Sequence, residues 1–160
     1  MNNSTEQGFK IFGKKIIKTV QASVEAICPI LPELDEKDII DKIIFQIDEY
    51  LSTVPSVVRK LIIYDFFFLN LSTIIFCFSY KTFKKLGLHQ RREYYEKTIK
   101  SRFSFKRQPL KRIKNLIQMH YFDRHDVCNL LDYPVDKYIK GKIRERKKIV
   151  GKENFKIIYD

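Results

Sequence analysis

The densest grouping of side chains able to do chemistry is His120, Asp123, His125, Asp126 and Cys128, five residues within nine positions. Imidazole, carboxylate and thiolate are the ligand types that hold zinc and related metals. Their spacing does not suit a ready-made site. His120 continues an apolar helical stripe, His125 lies across an expected helix break, and neither a C-x-x-C pair nor H-E-x-x-H accompanies them. A core histidine next to a helix cap accounts for the same residues, so no metal ligand is assigned.

Other chemistries find less support. There is no G-x-S-x-G and no evident nucleophile–base arrangement around a cysteine, so no nucleophile is assigned. The five glycines are isolated and form neither G-x-G-x-x-G nor a phosphate-binding loop, so no nucleotide or dinucleotide cofactor is expected on this chain. Asp65 stands inside a strongly apolar run. A carboxylate buried there needs a cation from a neighbouring helix, and that structural role is the expected one.

The second concentration is basic. Arg91, Arg92, Lys97, Lys100, Arg102, Lys106, Arg107, Lys111, Arg112 and Lys114 form a tract interleaved with Tyr94, Tyr95, Phe103 and Phe105. Cations and aromatics in that order can follow a phosphate backbone and stack bases. The aromatics also share a helical face with Ile99, which makes core packing the competing account. A formal net charge of +12 permits nucleic acid, an anionic membrane surface or an acidic protein, and drift in an Ile/Lys/Asn/Phe-rich composition explains part of it.

These residues sit on helices. Phe12, Ile16, Ile17, Val20, Val24, Ile27 and Cys28 mark one face of a helix that ends before Pro29. Asp35 caps a second helix whose stripe is Ile39, Ile40, Ile43, Ile44, Ile47, Tyr50, Leu51 and Val54. A third opens at Pro55 and runs to about Leu71. Apolar residues surround it on nearly all sides, so it is expected at the centre of the core, with a bend at Asn70, Ser72 and Thr73 before Ile74–Phe78. Gly87 ends the segment after Phe83 and Leu86, and a fourth helix carries Tyr94, Tyr95 and Ile99. Ser104 and Pro109 start a fifth, with Leu110, Ile113, Leu116, Ile117, His120 and Tyr121 as its stripe; Asp123 is expected to cap a short sixth to Leu131, with Asp126 as its reciprocal partner.

The fold class is therefore all-α: a compact multi-helix domain over residues 1–134, followed by a basic partner-docking tail over 135–160. One hundred and sixty residues suffice for a core without disulfide or metal. Cys28, Cys77 and Cys128 are odd in number and widely spaced, which favours buried free thiols. Leu61–Tyr80 approaches membrane-span length, but Asp65 inside it costs on the order of 2.5–3.5 kcal/mol in a bilayer, which argues against a span. The N-terminal MNNSTEQGFKIFGKK has no continuous apolar stretch and no twin arginine. A cytoplasmic location is expected, with peripheral contact at the inner membrane face left open.

From Phe83 to Pro134 the order FKKL, RREYY, KSRF, KRIKNLIQMHYF and DRHDVCNLLDYP resembles the small subunit (subunit 3) of gluconate 2-dehydrogenase and its relatives. Upstream, AICPILPELD and VPSVVRKLI resemble the same family's early helix end and later helix start. The resemblance implies a non-catalytic, cofactor-free accessory subunit. Its partner would be a large FAD-dependent dehydrogenase of the glucose–methanol–choline type acting on alcohol or sugar groups, in a hetero-oligomer whose flavin and chemistry belong to the partner. A chaperone-like role, helping that flavoprotein fold or stay soluble, goes with it. The family pattern names no catalytic residue. Tyr133, Tyr138, Arg144, Phe155 and Tyr159 are the expected partner contacts, because exposed aromatic and Arg residues dominate interface energetics. A basic helical nucleic-acid-binding protein is the alternative.

Overall fold

The computed structural model describes residues 9–29, 35–77, 80–131 and 140–146. It is all-α, with no strand among the described residues: α1 Lys14–Ile27, α2 Glu36–Thr53, α3 Ser56–Cys77, a 3-10 turn at Phe83–Lys85, α4 Leu88–Ile99, α5 Ser104–Phe122 and α6 His125–Leu130. A further helical stretch covers 140–146. The chain divides into two compact units, Met1–Tyr121 and Phe122–Asp160. The expected boundary between 134 and 135 and most of the expected tail lie outside the described residues.

In the first unit α1, and not α3, is the helix that α2, α4 and the 3-10 turn share as a neighbour, and α3 packs on it as well. Its Thr19, Ala22 and Ser23 are small and buried beside Val20 and Val24, so neighbouring backbones approach closely. Ser23 Oγ donates to Thr19 O at 2.7 Å, which removes the cost of burying that hydroxyl. α2 forms as its stripe predicts, with Ile39, Ile40, Ile43, Ile44, Ile47 and Leu51 buried, and Asp35 Oδ1 caps it by accepting from Lys37 N at 3.0 Å.

Asp48 is the one carboxylate buried within that stripe. It accepts from the backbone N–H groups of Lys10, Ile11 and Phe12 at 2.7, 3.0 and 2.8 Å, which fastens the segment before α1 to α2. Phe12 is thereby seated in the core, edge-on to Phe66.

α3 differs from expectation in two ways. It runs as a single unbroken helix through Cys77, with Ser72 Oγ and Thr73 Oγ1 donating to Leu69 O and Lys81 O at 2.7 and 2.9 Å. It is also packed on one side only. Gly87 does not end the preceding segment; with φ −66° it is the N-cap of α4, and its N–H donates to Gln90 Oε1 at 3.2 Å. α5 begins at Ser104 with Pro109 inside it, and its expected stripe from Leu110 to Tyr121 is buried.

In the second unit the N-cap of α6 is Arg124, not Asp123. Asp126 acts differently from the expected reciprocal cap: its carboxylate pairs with the Arg124 guanidinium and accepts from Val127 N at 2.9 Å, so the carboxyl is held below its usual range chiefly by the Arg124 hydrogen bonds. Cys128 is a buried thiol whose Sγ donates to Phe122 O at 3.0 Å.

Candidate functional site

The sequence places an uninterrupted apolar series on α3 at alternating steps of four and three: Val57, Leu61, Tyr64, Phe68, Leu71 and Ile75. Such a stripe normally turns inward. Here it turns outward. Val57, Leu61, Tyr64, Phe67, Ile74 and Ile75 are exposed, Tyr64 to 60% and Phe67 to 57%, while Asp65, Ser72 and Thr73 are fully buried with Phe66 and Leu69. The helix thus buries three polar side chains together with Phe66 and Leu69 and leaves a mostly apolar face to solvent, with Phe68 and Leu71 of the stripe half-buried.

This orientation is held by specific polar contacts. Asp65 receives two parallel hydrogen bonds from Arg112 of α5, Nε at 2.7 Å and Nη2 at 2.8 Å. Arg112 keeps its proton more tightly than an isolated guanidinium because of the Asp65 hydrogen bonds. Ser72 Oγ, besides donating to Leu69, accepts from the Tyr94 hydroxyl of α4 at 2.6 Å. Asp65 thus has the structural cation expected of it.

The exposed face contains only one charged residue, Lys60. A full aromatic side chain presents about 150–250 Å², so two aromatics at three-fifths exposure with four aliphatics amount to on the order of 500 Å² of apolar surface. That is the upper end of what a soluble monomer leaves uncovered, and patches of this size mark interaction sites.

The basic tract separates into two parts. Arg91 is spent inside the fold: it pairs with Glu25 and donates to Leu86 O at 3.0 Å and Ala22 O at 3.2 Å, tying α4 to α1. Arg92 donates to Glu25 O at 3.4 Å. Tyr94 and Tyr95 are buried, and the Tyr95 hydroxyl donates to Leu110 O on α5. Core packing accounts for these two rings, and burial pushes the Tyr95 hydroxyl's pKa upward. Phe103 and Phe105 behave otherwise, being exposed at the start of α5 next to Phe76 of α3.

No three His, Cys, Asp or Glu side chains converge on a common point among the described residues. His120 is buried with its ring edge-on to Tyr50 at 5.6 Å between centroids. His125 and Asp123 are exposed. Cys28 is a buried thiol whose pKa burial raises to about 12, so it is neither a thiolate nucleophile nor a ready metal ligand at neutral pH. The side chain of Cys77 is not among the described ones. No helix among the described residues is long and apolar enough to cross a membrane.

Of the expected partner contacts, Tyr133, Tyr138, Phe155 and Tyr159 lie outside the described residues. Arg144 lies on the helical stretch 140–146 and is exposed. The α3 face was not among those expectations, because an apolar surround suggests burial on all sides; the signal available was the placement of Asp65, Ser72 and Thr73 on one side of the helix. Comparison with protein families, with curated proteins and with solved structures found no match.

Proposed function

We propose that this chain is a non-catalytic accessory subunit that binds and stabilises a large FAD-dependent oxidoreductase acting on alcohol or sugar groups. The observation that carries the partner-binding part is the orientation of α3: a helix that buries Asp65, Ser72 and Thr73 while exposing Leu61, Tyr64 and Phe67 has a face whose burial is completed by another molecule. The kind of partner comes from the ordered resemblance between Phe83 and Pro134.

The residues that carry this resemblance are largely packing residues, which fits a pattern of helix-holding positions without catalytic signature. Phe83 is fully buried, Arg91 ties two helices, Tyr94 and Tyr95 bond into α3 and α5, and Leu116, Ile117 and Tyr121 fill the core. The flavin and the hydride chemistry belong to the partner, and this chain supplies surface.

The test is affinity isolation of the tagged full-length chain from its native cell, followed by an absorption spectrum of what accompanies it. A larger protein with a flavin spectrum, retained by the wild-type chain and lost with Leu61→Ser/Tyr64→Ser, is the expected result. Recovery of the chain with no flavoprotein overturns the proposal.

A further inference from the structure

The net charge of the chain is not evenly spread. Residues 56–122 hold fifteen Lys and Arg against three carboxylates, a net of +12, while 1–55 and 123–160 carry −3 and +3 and cancel. One of those three carboxylates, Asp65, is buried and already paired with Arg112. The whole excess therefore belongs to the segment from α3 to α5.

That segment also presents an exposed aromatic cluster. Phe103 and Phe105 are each 59% exposed and 5.9 Å apart between centroids; Phe105 meets Phe76 at 6.1 Å, and Phe76 meets Phe68 at 6.1 Å. The Lys106 ammonium sits 3.8 Å from the centroid of Phe76, 5.2 Å from Phe103 and 5.8 Å from Phe105. Lys100 and Arg102 are exposed in the same turn. A groove of about 360 Å³ opens beside this cluster, walled by Phe76, Leu86 and Tyr94 with Lys97 and Lys106 also lining it.

We infer that this aromatic and basic patch, at the start of α5 and the end of α3, docks the protein on an anionic phospholipid surface. Phe103 and Phe105 enter the boundary between headgroups and acyl chains while Lys100, Arg102 and Lys106 meet the phosphates. Charge complementarity selects the occupant, since a net +12 confined to this segment is attracted to the potential of an anionic leaflet. The ring geometry speaks against nucleic acid. Base stacking needs an open aromatic face, and the face of Phe76 at the centre of the cluster is covered by Lys106. Exposed Phe flanked by cations suits insertion at the boundary of headgroup and hydrocarbon.

The patch adjoins the α3 face assigned to the flavoprotein at Phe68, and variants of residues not shared by the two distinguish them. The full-length chain is mixed with vesicles of phosphatidylcholine alone, or of phosphatidylcholine with phosphatidylglycerol, and floated on a density gradient, with far-UV circular dichroism confirming that each variant is folded. The wild-type chain is expected to float with the anionic vesicles only, and to be released as salt rises. Phe103→Ser and Phe105→Ser are each expected to lower partitioning about tenfold, from the apolar area each ring withdraws from water. Leu61→Ser/Tyr64→Ser is expected to float like the wild type while losing the flavoprotein. Absence of flotation with anionic vesicles, unchanged flotation of a folded Phe103→Ser/Phe105→Ser chain, or a single-stranded oligonucleotide held tightly by the wild-type chain and released by that double variant would each overturn the inference.

Discussion

Replacing Arg112 by Met isolates the interaction that holds α3 in its orientation. Asp65 has 1% of its side chain exposed and Arg112 40%, so the two ends of the pair are unequal. Removing Arg112 leaves a carboxylate with no water and no cation, a loss of about 3–5 kcal/mol. Asp65→Asn leaves a guanidinium that can reach solvent, and the loss is smaller, about 1–2 kcal/mol. Asp65→Leu/Arg112→Met removes both charges and is expected within about 1 kcal/mol of wild type. The chain has no tryptophan, so urea unfolding at neutral pH is followed by far-UV circular dichroism and by tyrosine fluorescence, whose coincidence tests two-state behaviour. In a domain whose total stability is about 5–15 kcal/mol, the Arg112→Met loss is large enough to read without ambiguity. Equal and small losses in the two single variants would refute the reasoning, because they would mean that Asp65 is hydrated in solution and that α3 does not face inward as described.

Asp48→Asn is expected to cost about 2–3 kcal/mol, since three backbone N–H groups lose an ionised acceptor; hydrogen exchange at Lys10, Ile11 and Phe12 should accelerate while the middle of α2 stays protected. Cys28 should resist iodoacetamide in the folded chain at pH 9 and react once urea is added, because its buried thiol keeps its proton up to about 12. The same shift sets a pH dependence. The folded state holds a proton that the unfolded chain releases near its ordinary value of 9.0, so this stabilisation is complete below pH 9 and is lost as pH rises towards 12; Cys28→Ala should flatten that alkaline decline in a urea series. Leu61→Ser/Tyr64→Ser should change the urea midpoint by less than the equivalent of about 0.5 kcal/mol, since neither side chain fills the core.

Much of the fold is legible in the sequence because local rules and tertiary packing agree there. The isoleucine stripe of α2, the Asp35 cap, the stripe of α5 and the need of Asp65 for a cation each follow from spacing and burial alone. The orientation of α3 does not. Both of its sides are apolar, with Phe66 and Leu69 on one and Leu61, Tyr64 and Phe68 on the other, so periodicity cannot say which side enters the core. The polar partners that decide lie far along the chain or outside the helix, with Arg112 47 residues from Asp65 and Tyr94 22 residues from Ser72. Position within an element misled twice more: Gly87 sits between two segments and serves the second as N-cap, and Asp123 is displaced as a cap by Arg124, which holds Asp126. Asp48 was hidden for another reason. Its partners are backbone N–H groups of an irregular segment, which leave no mark in the residue pattern.

A helix with two apolar sides can settle either way round, and hydrophobicity alone does not separate the alternatives. In α3 the choice is made by polar groups, which cost free energy unless they are satisfied: Asp65 on Arg112, Ser72 on Leu69 O and the Tyr94 hydroxyl, Thr73 on Lys81 O. Rotating the helix by half a turn would bury Tyr64 and Phe67 but strip these groups of partners supplied by α4, by α5 and by the segment after α3. The network therefore fixes which face is left outside. Core polarity and surface apolarity in α3 are consequently two results of one arrangement, in which the buried network leaves Leu61, Tyr64 and Phe67 facing solvent.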